Sequence, residues 1–137
     1  MAITFNEYNG ARYHILNNDM SPVAGLSVML LSDAYVFDAA HDVVADVSAN
    51  EVSGTGYTAG GVSLANITVT QNTAEASLTA DSALFSSVTV DFQFAVVYDS
   101  TNNYLISCLD WGALQSVSGD LQINWHADGI IVFSAPA

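Results

Sequence analysis

Val88, Val90, Phe92 and Phe94 alternate with Thr89, Asp91 and Gln93. Successive side chains of an extended chain point to opposite faces, so a period of two marks a strand with one buried and one wet face. A helix cannot place those four apolar side chains together, because its near neighbours recur every three to four residues. Residues 95–98 (AVVY) continue the strand, and residues 99–103 (DSTNN) have the composition of a hairpin loop. Residues 104–111 then return as a partner strand, which Gly112 is expected to end.

The same logic divides most of the remaining chain. Residues 17–25 read as a loop, and residues 26–31 (LSVMLL) as a short buried strand. In residues 62–70, Val62 and Leu64 fall out of phase with Ile67 and Val69; a bulge near Ala65 and Asn66 produces such a slip. Gln71, Asn72 and Thr73 form a turn. Ala74, Ala76, Leu78 and Ala80 then alternate with Glu75, Ser77 and Thr79. Residues 81–87 connect to the central strand. Leu121, Ile123 and Trp125 form another strand, Asp128-Gly129 a turn, and residues 130–133 the last strand.

The expected fold is all-β: an antiparallel β-sandwich or barrel of roughly seven to nine short strands, with at most one or two short helices. It forms one domain over residues 1–137, in which residues 1–25 are an N-terminal arm or an edge strand. Asn9-Gly10 signals a turn in that segment, and residues 11–16 read as strand or as one helical turn. The likeliest helix lies within residues 38–48. There Asp38, Asp42 and Asp46 would form one acidic stripe beside Val43, Val44 and Val47. Like charges at that spacing oppose a helix, and the spacing fits no EF-hand loop. A solvated helix or turn is therefore expected, with His41 on the surface.

Residues 46–61 (DVSANEVSGTGYTAGG) carry four of the nine glycines, Gly54, Gly56, Gly60 and Gly61. A phosphate-binding loop would need its lysine, and the chain has none. A dinucleotide fold would need a helix next, whereas residue 62 begins a strand pattern. These glycines are expected to be structural turn residues, at positions closed to other side chains.

Fourteen acidic residues face one basic residue, Arg12, for a net charge of −13. Nucleic-acid backbones and anionic membrane surfaces are repelled at that charge, so neither is an expected partner. No apolar run reaches the roughly 20 residues that span a bilayer, and residues 1–10 lack the pattern of a signal peptide. Cys108 is single, which excludes an internal disulfide, and its apolar setting reads as a buried hydrophobe. His14, His41 and His126 have no ligand spacing, so no metal, cofactor or catalytic residue is expected, nor an enzyme.

Several pieces resemble a family of small structural proteins encoded near the head genes of tailed bacteriophages. They are residues 28–35 (VMLLSDAY), 46–52 (DVSANEV), 54–61 (GTGYTAGG), 95–99 (AVVYD) and 105–112 (LISCLDWG), followed by residues 121–125 and Gly129. The glycine-tyrosine-glycine piece is the most specific. The resemblance implies a capsid decoration (cement) protein. Such a protein sits on the outer surface of the virion head, after synthesis in the host cytoplasm. Its partner is the major capsid protein, and it forms a homo-oligomer, with a trimer favoured over a dimer. Phe5, Tyr8, Tyr13 and Tyr57 are candidate partner contacts. Two other readings stay open: a carbohydrate-binding or adhesive β-module on the virion surface, and a tail or head–tail junction component. A glycan binder would show a surface row drawn from Tyr57, Tyr104, Trp111 and Trp125.

Overall fold

In the computed structural model, which describes residues 3–71 and 75–134, one long hairpin organises the chain. Its arms are β6 (Ala83–Asp99) and β7 (Leu105–Ile123), of 17 and 19 residues. Beside them lie β1 (Thr4–Glu7), β2 (Leu26–Leu31) and β3 (Val62–Ser63), in the order β1-β7-β6-β2-β3. A second sheet orders β4 (Thr68–Gln71), β5 (Glu75–Thr79) and β8 (Ile131–Ser134) as β4-β5-β8. All neighbouring strands are antiparallel. The all-β sandwich class and the strand number agree with the sequence, and the sheets do not close into a barrel. The slip at Ala65 and Asn66 is a break between β3 and β4, with Asn66 at φ 54°. The expected turn at Asn72 and Thr73, and Ala74, lie outside the described residues.

The hairpin strands are not short, because Gly112 bends β7 without ending it. Between the pairs Phe92–Gln115 and Phe94–Asp110, five steps along β7 match two along β6. Gly112 sits in this excursion at φ 80°. Asp110 Oδ1 holds it, accepting from the Gly112 amide at 2.7 Å and from Gln93 Nε2 at 3.1 Å. The carboxylate thus replaces the missing ladder bonds, and the strand resumes.

The bulge also changes which face is buried. Up to Phe92, β6 buries one face and leaves Thr89 and Asp91 exposed. Beyond it every residue from Phe94 to Asp99 is buried. Val28, Leu30, Ala95, Val97 and Leu109 join one apolar cluster, which includes Leu78, Ile130 and Ile131 beside the three-stranded sheet. Met29, Leu31, Phe94, Val96 and Cys108 face the other way, under Tyr8, Tyr35 and Val47. The middle of the larger sheet therefore has cover on both faces, and its strands read as continuous apolar runs.

Two expectations need correction. The α-helix is α1 (Asn9–Leu16), where Asn9-Gly10 signalled a turn and residues 11–16 read as strand or a single helical turn. Gly10 serves close approach: a Cβ there would strike the Asp42 carboxylate. Residues 38–48 hold no α-helix, only 3₁₀ turns at Val44–Asp46 and Ser48–Asn50. Their acids act locally instead. Asp38 Oδ1 accepts from the Ala40 amide at 2.9 Å, and Asp46 Oδ2 from the Asp42 and Val43 amides at 2.8 and 3.1 Å. Such bonds compete with a regular helix.

The glycine stretch packs along β2 and β6. Glu51 Oε2 accepts from the Tyr57 hydroxyl at 2.6 Å and from the Gly60 amide at 2.7 Å, while Tyr98 donates to the Gly60 carbonyl at 2.6 Å. Gly56, Gly60 and Gly61 have φ of 79°, 92° and 82°. Gly54 does not share that geometry; a Cβ there would meet the Thr89 carbonyl oxygen. At Gly61 a Cβ would fall on the Val28 carbonyl oxygen, whereas at Gly112 it would meet nothing. Gly112→Ala should therefore lose about 1 kcal/mol, the cost of the left-handed backbone alone. Gly61→Ala should lose more, because β2 must also move. Urea unfolding of both variants checks the difference; equal losses would contradict the close approach at Val28.

Candidate functional site

The partner contacts expected from sequence divide into two pairs. Phe5 and Tyr13 lie on the surface, 38% and 61% exposed. Tyr8 is 1% exposed, and its hydroxyl pairs with that of Tyr35 at 2.8 Å. Tyr57 is half-buried, stacked on Phe85, with its hydroxyl oxygen accepting from the Leu30 amide at 3.1 Å. Tyr8 is thus an interior residue, and Tyr57 is partly buried with its ring packed against the core. Their hydroxyls find partners inside, so their bodies add to the core. Trp111 packs edge-on to Phe92, Trp125 Nε1 donates to the Asp81 carbonyl, and Tyr104 stacks on His14. Tyr57, Tyr104, Trp111 and Trp125 are each partly buried, with one side packed against the core.

An apolar groove opens where the smaller sheet leaves α1. Pairing places Val69, Leu78 and Ile131 in one row across the sheet, and Ala76 and Phe133 in the next. Ile15 from α1 and the Pro22–Ala24 turn face this inner surface without filling the space. The groove holds about 210 Å³, and Val69 and Val23 at its mouth are 59% and 53% exposed. Alternation in the sequence marks Val69 as inward-facing. It carries no signal that, among the described residues, nothing covers Val69.

Arg12 braces β8 beside the groove. It pairs with Glu7 at 2.7 Å, donates to the Val132 carbonyl at 2.6 Å and lies 5.5 Å from the Phe133 ring centre. The Val132 amide in turn donates to Glu7 Oε2 at 3.4 Å. Two side chains thus occupy the hydrogen-bonding edge of β8 at Val132.

His14 fixes the helix that forms the groove wall. The ring is buried and stacks on Tyr104, with centroids 3.6 Å apart and planes 13° apart. Nδ1 lies 3.1 Å from Asp19 Oδ2, and Nε2 lies 2.9 Å from Asp42 Oδ1. A carboxylate only accepts, so both bonds are made together by the imidazolium. Burial disfavours that cation, but the two carboxylate hydrogen bonds outweigh it and hold the His14 pKa above its ordinary value. The bond to His14 in turn lowers the Asp19 pKa.

Little here supports bond-breaking chemistry. Among the described residues no group of three His, Cys, Asp or Glu side chains could hold a metal. Burial pushes the Cys108 thiol up to about 12, far from a thiolate at neutral pH. A second, polar cleft includes Glu51 and Asp91 in its lining, but the Glu51 carboxylate is held by Tyr57 and Gly60. Among the described residues no helix is long and apolar enough to cross a membrane. No protein-family model, curated protein or solved structure matches the chain.

The histidine clamp makes stability depend on pH with a defined sign. A raised histidine pKa stabilises the fold fully below about 6.5, its unfolded value, and less as pH rises through the folded value. A lowered aspartate pKa stabilises above about 3.9 and less as pH falls below it. The clamp is thus strongest between these limits. The melting temperature of His14→Gln should trail the native protein by more at about pH 5.5 than at about pH 8.5. A gap that is constant across this range would contradict the clamp.

Proposed function

We propose that this chain is a structural virion protein that decorates the outer surface of a tailed-phage head and stabilises the shell. It binds the major capsid protein and acts by attachment rather than catalysis. The resemblance across residues 26–133 supports this role. The observation that carries it furthest is the open apolar groove on a protein of net charge −13. Such a charge is repelled by packaged DNA, which favours the outer face of the shell. A preformed apolar concavity supplies attachment that needs no salt bridge from this chain. Arrangement as a homo-oligomer, a trimer about a local symmetry axis, lets modest contacts add.

Neither other reading gains an observation of its own. A glycan-binding module needs exposed rings as a platform, and Tyr57, Tyr104, Trp111 and Trp125 are engaged with the interior. A tail component would occur in few copies, which gel intensity relative to the major capsid protein distinguishes from decoration.

Apolar and charge-driven attachment respond oppositely to salt. Attraction between exposed charges is screened within about 10 Å at 0.1 M and about 3 Å at 1 M. An apolar contact persists, and salt also relieves repulsion between neighbouring acidic copies. Particles incubated from about 0.1 to about 1 M sodium chloride and then pelleted should retain the protein throughout. Release at high salt from intact capsids would contradict apolar attachment.

A further inference from the structure

The two edges of the three-stranded sheet are treated differently. At β8, Glu7 and Arg12 take up both backbone groups of Val132, as a neighbouring strand would. At β4 the sheet ends, with β5 on one side and no strand on the other among the described residues. Its residues, Thr68, Val69, Thr70 and Gln71, are all exposed. Natural sheets blunt such edges with short strands, charge, proline or bulges; β4 is short, at four residues, but carries no charge, proline or bulge. Val69 projects from the same strand into the apolar groove.

We propose that the edge of β4 receives an extended segment of the capsid protein as an added strand. Alternate apolar side chains of that segment fill the groove, and basic side chains face the acidic protein. The proposal rests on the decoration role above and names the attachment surface. Backbone hydrogen bonds to β4 supply register, and the groove beside Val69 and Val23 selects side chains, as in strand addition generally. Charge selects which segment approaches, while the apolar groove and the strand pairing hold it, so attachment persists in salt. A second copy would bring another −13 to the contact, whereas a basic segment is drawn towards it.

Two arms test this. In the first, purified protein is added to particles stripped of it, and the bound fraction is pelleted. Val69→Lys and Val23→Lys alter exposed side chains, so they should fold normally, as circular dichroism will verify. Each should bind about tenfold more weakly or worse. Val36→Lys, 77% exposed on the segment that follows β2, should bind like the native protein. Native binding by all three variants would overturn the β4 surface and leave the decoration role standing. No binding by the native protein would overturn both.

In the second arm the probes are two ten-residue peptides, one alternating valine and lysine, the other valine and glutamate. In amide NMR spectra the lysine peptide should shift Thr68, Val69, Thr70 and Gln71, and the glutamate peptide should not. Silence at β4 with the lysine peptide would overturn the proposal. Shifts there that grow with protein concentration alone would overturn it in favour of self-association.

Discussion

The antiparallel pairing of β6 with β7 is the contact on which the other elements depend. Two of the three remaining strands of the larger sheet pair with one arm of this hairpin, β2 with β6 and β1 with β7, and β3 pairs with β2. The hairpin crosses from a half-buried region to one buried on both faces, and the bulge at Gly112 makes the crossing. Without it, Phe92 and Phe94 would share a face. With it, Phe92 joins the cluster beneath the smaller sheet and Phe94 the cluster under Tyr35. The change of cluster on β6 thus falls opposite the bulge that Gly112 and Asp110 form on β7.

Scarcity of positive charge shapes the polar architecture. With a single arginine, the inner acids are satisfied by N–H and O–H donors rather than by cations. Asp99 is fully buried and accepts from the Thr101 and Asn102 amides at 3.0 and 3.3 Å and from Asn102 Nδ2 at 3.0 Å. Asp110, Asp46 and Glu51 each brace a bend in the same way. Bonds of this kind fix loops locally and are little affected by salt. Arg12 and protonated His14 both sit on α1. They tie it to β8 and to the loops bearing Asp19 and Asp42.

Much of the fold was legible in the sequence wherever one local pattern decides the outcome. Alternation from Val88 to Phe92 and the loop at residues 99–103 place the hairpin, and residues 26–31 match β2, whereas Phe94, read in the same phase, falls in the other cluster across the register shift. Tertiary partners decide the rest. Gly112 looks like a strand end because a bulge and a stop share the same residue type; only the distant Gln93 and Asp110 separate them. Gly10 looks like a turn residue, yet it is small because the Asp42 carboxylate lies against it. Tyr8 looks like a contact residue, yet the hydroxyl of Tyr35, far along the chain, draws it inside. The groove was the least legible feature, since Val69 satisfies a strand pattern whether or not anything covers it.

Attachment to the outside of a phage head is the central claim, and it is a statement about place. Low-resolution electron microscopy of particles with and without this protein tests it most directly. The account predicts extra density at regular positions on the outer face of the shell, lost when the protein is absent and restored when it is added back. Density confined to the tail or the head–tail junction, or an outer face identical in both preparations, would contradict it.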